Sequence, residues 1–172
     1  LLQYQIKDLQ QSVAFLLPPQ NKIQDYKLAN ISAAVRAPAS VDSVSIDLSG
    51  ALFERGKEFF NQQNYTQAIG VFNKLLAQYP LSVHRIEAQF FIAEGYFLSK
   101  EYQPSLQAIN VMVQQYPHHE LTGYILLRLG QINEINNQNQ SAREVYQSVL
   151  RSFDNKNLQK QARSLMASLE AP

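Results

Sequence analysis

The chain has 172 residues, a formal net charge of +1, and neither cysteine nor tryptophan. Hydrophobic residues make up 45% and charged residues 17%, the balance of a folded chain with one substantial core. The near-neutral charge excludes strong long-range attraction for nucleic acid or anionic lipid, the missing thiols exclude disulfides and thiolate metal centres, and no apolar run approaches the roughly 20 residues of a membrane-spanning helix.

Residues 1–17 are expected to be helical. Leu2, Ile6, Leu9, Val13 and Leu16 recur at alternating spacings of 4 and 3. β-Branched residues hold one core position and leucines the other, the pattern of a parallel coiled coil through which the chain would form a homo-oligomer. Two heptads also suit an amphipathic helix packed on its own domain. Pro18-Pro19 ends the helix. Residues 18–48 read as a linker with some local order, in which Val44, Ile46 and Leu48 alternate with polar residues as in an extended strand.

From Ser49 onward the periodicity predicts helical hairpins. The expected helices are 49–62, 66–79, 83–99, 103–116, 119–136, 139–152 and 156–169, the last without a following partner. Asn64-Tyr65-Thr66-Gln67-Ala68-Ile69 is answered by Glu101-Tyr102-Gln103-Pro104-Ser105-Leu106, and Gln78-Tyr79-Pro80 by Gln115-Tyr116-Pro117. Both offsets are 37 residues (102 − 65 and 117 − 80). A degenerate third copy puts Ala142 where Ala68 and Ser105 sit, and Phe153 where Tyr79 and Tyr116 sit. Units of this length bury their apolar faces by stacking, and stacked units mostly bind other proteins.

Within each unit a small residue precedes an aromatic by three, then come a second small residue, an apolar residue and a stop. The first copy reads Gly56, Phe59, Ala68, Phe72, Pro80. The second reads Ala93, Tyr96, Ser105, Ile109, Pro117. The third reads Gly130, Asn133, Ala142, Tyr146, Asp154, departing at Asn133 and Asp154. This resembles the tetratricopeptide pattern. The expected fold is therefore all-α: a right-handed superhelix of three tetratricopeptide-like hairpins over 49–172 with a C-terminal capping helix, preceded by the N-terminal helix and linker.

The segment Glu87-Ala88-Gln89-Phe90-Phe91-Ile92-Ala93-Glu94-Gly95-Tyr96-Phe97, with Gln78-Tyr79-Pro80 before it and Glu101-Tyr102 after it, resembles the periplasmic Tol-Pal-associated CpoB (YbgF) family. That family joins a short coiled coil, a linker and a set of such repeats. The resemblance implies a non-enzymatic interaction module of the bacterial periplasm, with TolA-like partners and a role in cell division. The outer-membrane assembly lipoprotein BamD carries similar tyrosine-proline repeats, so an outer-membrane, pilus or flagellar scaffold is the alternative.

No catalytic constellation and no cofactor site is expected. His84, His118 and His119 have no aspartate or cysteine at ligand spacing, and no glycine-rich turn follows a strand. Binding is expected on the face lined by the first helix of each hairpin. Projection places Phe53, Lys57, Phe60 and Asn61 there from the first unit. The second supplies Phe90, Glu94 and Phe97, and the third Tyr124, Leu127, Gln131 and Glu134. Such an aromatic row suits an apolar helix or extended peptide, although each phenylalanine serves equally well as interhelical core. The apolar residues of 20–48 make the linker itself a candidate occupant.

Overall fold

The structure is a computed structural model that describes residues 48–169. The seam Leu2, Ile6, Leu9, Val13 and Leu16, and the linker up to residue 47, lie outside the described residues. Among the described residues every regular element is an α-helix: α1 Ser49–Asn61, α2 Tyr65–Gln78, α3 Arg85–Leu98, α4 Tyr102–Gln115, α5 Glu120–Ile135, α6 Asn139–Ser152 and α7 Lys156–Ser168. Consecutive helices pack as antiparallel hairpins, α1 with α2, α3 with α4 and α5 with α6, and α7 closes the stack against α6. The first helices also touch in series, α1 to α3, α3 to α5 and α5 to α7. The fold is a superhelix of tetratricopeptide-like hairpins with a capping helix.

The 37-residue period is a period of packing. Ala68, Ser105 and Ala142 are all fully buried, as are Phe72, Ile109 and Tyr146, each large one contributing about 1.5–3 kcal/mol by its burial. A Cβ built on Gly56 would lie 2.5 Å from the Phe72 ring, and one on Gly130 2.2 Å from the Tyr146 ring. The glycine in the first helix is thus the space into which the aromatic of the second helix fits. The middle hairpin meets the same constraint with Ala93 and the slimmer Ile109, both buried, and there Ser105 Oγ donates to the Ala93 carbonyl at 2.9 Å.

The hairpin turns repeat as well. Gln63, Lys100 and Asn137 all adopt left-handed backbone, with φ of 60°, 61° and 59°. After each, the next amide donates back across the turn, Asn64 N to Phe59 O, Glu101 N to Tyr96 O and Gln138 N to Asn133 O. This is the Schellman closure of a helix C-terminus, made here without glycine. The third copy is as regular as the others despite its departures. Phe153 leaves α6 in extended backbone, and Asn155 then caps α7 by accepting from Leu158 N at 2.9 Å, so Asp154 needs no proline ring to stop the helix. Asn133, where Phe59 and Tyr96 stand in the other units, is buried with its Nδ2 unpartnered.

Candidate functional site

Three first-position helices, α3, α5 and α7, surround a cavity of about 280 Å³. Phe90 and Glu94 reach it from α3, Tyr124, Leu127, Arg128 and Gln131 from α5, and Gln161, Ser164 and Leu165 from α7. Helical spacing explains the set: Phe90 and Glu94 are four apart, and Tyr124, Leu127, Arg128 and Gln131 follow at i, i+3, i+4 and i+7, one face of each helix. The cavity reaches α7 because Gly123 lets Leu158 sit where a Cβ would be only 2.4 Å from it.

Arg128 organises the floor. Its Nε donates to Glu94 Oε2 at 2.8 Å and its Nη2 to Oε1, a bidentate pair between the second and third hairpins. Nη1 donates to Gln131 Oε1 at 2.7 Å, and the guanidinium carbon lies 4.7 Å from the centre of the Phe97 ring. The Glu94 side chain is only 11% exposed, so its charge is met by Arg128 and not by solvent. The cavity therefore offers apolar walls and neutral polar tips. At its rim Tyr124 Oη donates to Asn155 Oδ1 at 3.4 Å, and Asn155 Nδ2 donates to Glu120 Oε1 at 2.7 Å, tying α7 to α5.

The projected residues divide between this cavity and the packing around it. Phe90, Glu94, Tyr124, Leu127 and Gln131 converge on the cavity. Phe97 backs it through Arg128 and lies 6.0 Å from Tyr102. Phe53 is nearly buried, stacked on His84 at 4.4 Å and close to Phe72 and Phe91. Phe60 meets Tyr65 and Phe91 edge-on, both within 5.2 Å. Lys57 is held by Glu54 at 3.0 Å and lies over the Phe53 ring, and Asn61 is exposed at the end of α1. Glu134 accepts from the Tyr146 hydroxyl. Burial first, and then that hydrogen bond, push the Tyr146 phenol far above its usual range.

Sequence projection missed Arg128, Phe91 and the three α7 residues. Arg128 interrupts the apolar run Tyr124-Ile125-Leu126-Leu127, which was the available signal: a charge on that helix needs a partner on the face it shares with Glu94. Among the described residues no cluster of three or more metal-ligating side chains is present, and no helix is long and apolar enough to cross a membrane.

Stacked hairpins around a neutral, part-aromatic groove define a tetratricopeptide-like scaffold. The family model for the YfiO outer membrane lipoproteins matches residues 47–169, which is 123 of the 172 residues (169 − 47 + 1), and the chain belongs to that family. Membership implies a location in the cell envelope. Of the two resemblances drawn from the sequence, the match supports the BamD-like one and does not reach the Tol-Pal-associated family. A search of the curated proteins gives no match.

Proposed function

We propose that the protein is a non-enzymatic scaffold on the periplasmic face of the outer membrane, which holds a segment of an assembly partner in the groove between α3, α5 and α7. The observation that carries this reading is the groove itself, lined by Phe90, Tyr124 and Leu127 over a floor whose charges cancel. A partner segment gains affinity there by placing an apolar side chain against the rings, while Gln131, Gln161 and Ser164 bond its backbone. Glu94 and Arg128 satisfy each other, so neither a carboxylate nor an ammonium is the preferred guest. Membership of an outer membrane lipoprotein family supports the location.

The test is co-purification of outer-membrane assembly proteins from envelope extracts. Phe90→Ala with Tyr124→Ala should abolish it while leaving the helical circular dichroism intact. Undiminished co-purification by the folded double variant refutes the groove. The heptad seam Leu2, Ile6, Leu9, Val13 and Leu16 favours a second reading, a Tol-Pal-associated oligomer with a TolA-like partner. Sedimentation separates the two, because a chain that stays monomeric at high concentration has no such seam.

A further inference from the structure

The loop joining the first two hairpins carries the two most exposed large apolar side chains of the described residues, Leu81 at 88% and Val83 at 82%. The 37-residue period shows that this is a departure. The positions equivalent to Leu81 are His118 and Asn155, and those equivalent to Val83 are Glu120 and Asn157. Two copies of the loop are polar and one is not.

The loop is also ordered. Ser82 N donates to Tyr79 O at 2.9 Å, and Ser82 Oγ accepts from His84 N at 3.1 Å. Ser82 is nearly buried, so the backbone holds the apolar side chains on either side of it outward. An ordered loop that presents leucine and valine to water marks a contact surface.

The loop stands where the chain enters the fold. His84 stacks on Phe53 of α1 at 4.4 Å, and its Nε2 lies 3.9 Å from a Cβ built on Gly50. Leu48, just before α1, is itself half exposed. The residues immediately upstream read Ser43-Val44-Ser45-Ile46-Asp47, with apolar residues at the spacing that an extended strand turns to one face. Five extended residues reach about 17 Å, ample to pass from the start of α1 over the loop.

We propose that the Leu81–Val83 loop is the docking surface for the chain's own residues 43–47, with Val44 and Ile46 laid over Leu81 and Val83. Tethering makes the contact sufficient, because a segment joined directly to α1 binds at high effective concentration. A second copy is the poorer fit, since two side chains fall far short of the roughly 800 Å² per partner of a stable interface. A lipid surface would call for a basic rim, yet Arg85, the nearest following cation, lies over the Tyr116 ring.

The absence of tryptophan makes the test direct. Val83→Trp in the full chain places a single indole on the loop. The proposal expects emission blue-shifted from that of N-acetyltryptophanamide, with protection from acrylamide, and loss of both when Val44→Ser and Ile46→Ser are added. Hydrogen exchange supplies a probe-free check: Leu81→Ser with Val83→Ser should accelerate exchange at residues 43–47 and leave α3 unchanged. Three results would overturn the proposal. One is free-indole emission that the serine substitutions do not alter. Another is a blue shift that survives them and grows with protein concentration, which assigns the loop to a second copy. The third is a blue shift that appears only with phosphatidylethanolamine–phosphatidylglycerol vesicles, which assigns it to a membrane.

Discussion

Gly130→Ala and Gly70→Ala are the same chemical change with opposite expected signs. Gly70 lies on the exposed face of α2, with nothing within 4 Å of its built Cβ, so alanine there should stabilise by about 0.8–1 kcal/mol through helix propensity alone. Gly130 gains the same propensity, but its Cβ would stand 2.2 Å from Tyr146 Cε1 and 2.5 Å from Cζ. That ring is fully buried and its hydroxyl is bonded to Glu134, so it cannot swing away. Overpacking of a rigid core position costs about 1–3 kcal/mol. With the ring pinned the upper part of that range applies, and the net loss should be about 1–2 kcal/mol, a fall in Tm of roughly 4–8 °C for a domain of this size. Thermal unfolding by circular dichroism reads both variants. The second hairpin supplies the rescue. Gly130→Ala with Tyr146→Ile copies the Ala93–Ile109 pair, and the double variant should exceed the sum of the singles by about 1 kcal/mol or more. If the two glycine variants shift Tm in the same direction, or the rescue fails, the close-contact account of the repeat is wrong.

Tyr146→Phe should cost about 1 kcal/mol at neutral pH through the lost hydrogen bond to Glu134. Because burial raises the folded phenol above its unfolded value near 10, the wild-type contribution is complete below about pH 10. Above it, the contribution should fall by about 1.4 kcal/mol per pH unit; urea titrations that show equal alkaline limbs for wild type and variant would contradict this. Arg128→Ala leaves the Glu94 carboxylate nearly buried without its partner. Since Arg128 is itself about a third exposed, the loss should be about 2–3 kcal/mol by urea unfolding, below the full value for a buried pair, with Glu94→Gln recovering part of it. Lys100→Gly relieves a left-handed lysine and should raise stability by about 0.5–1 kcal/mol, whereas an unchanged midpoint would show that the turn stores no strain.

The helices were legible because their apolar periodicity and the two proline stops are local signals, and the observed boundaries fall within about two residues of those expected. The regularity of the third copy was hidden. Its stop is made by Asn155, whose side chain caps α7 whereas that of Asn64, at the same place before α2, makes no cap bond, and its Asn133 breaks the pattern without breaking the packing. The left-handed residues Gln63, Lys100 and Asn137 share a position but no residue type, so only the backbone reveals the repeated turn. The candidate groove was partly legible. Helical projection gathers Phe90, Glu94, Tyr124, Leu127 and Gln131 because they lie on matching faces. It says nothing of how far a first helix stands from its neighbour, and that distance turns Phe53 and Phe60 inward against Phe91 while leaving a cavity beside α7. Arg128 escaped because a charge pair across 34 residues has no sequence spacing of its own.

Photo-crosslinking in intact cells tests the central claim most directly, with a benzophenone amino acid placed at Gln131 or Gln161 in the groove and, for comparison, at Gln67 or Asn73 on the exposed face of α2. The account predicts crosslinks from the groove positions to a defined outer-membrane assembly protein, diminished by Tyr124→Ala, and none from α2. Crosslinks from α2 with none from the groove, in a protein that is folded and located in the envelope, would contradict it.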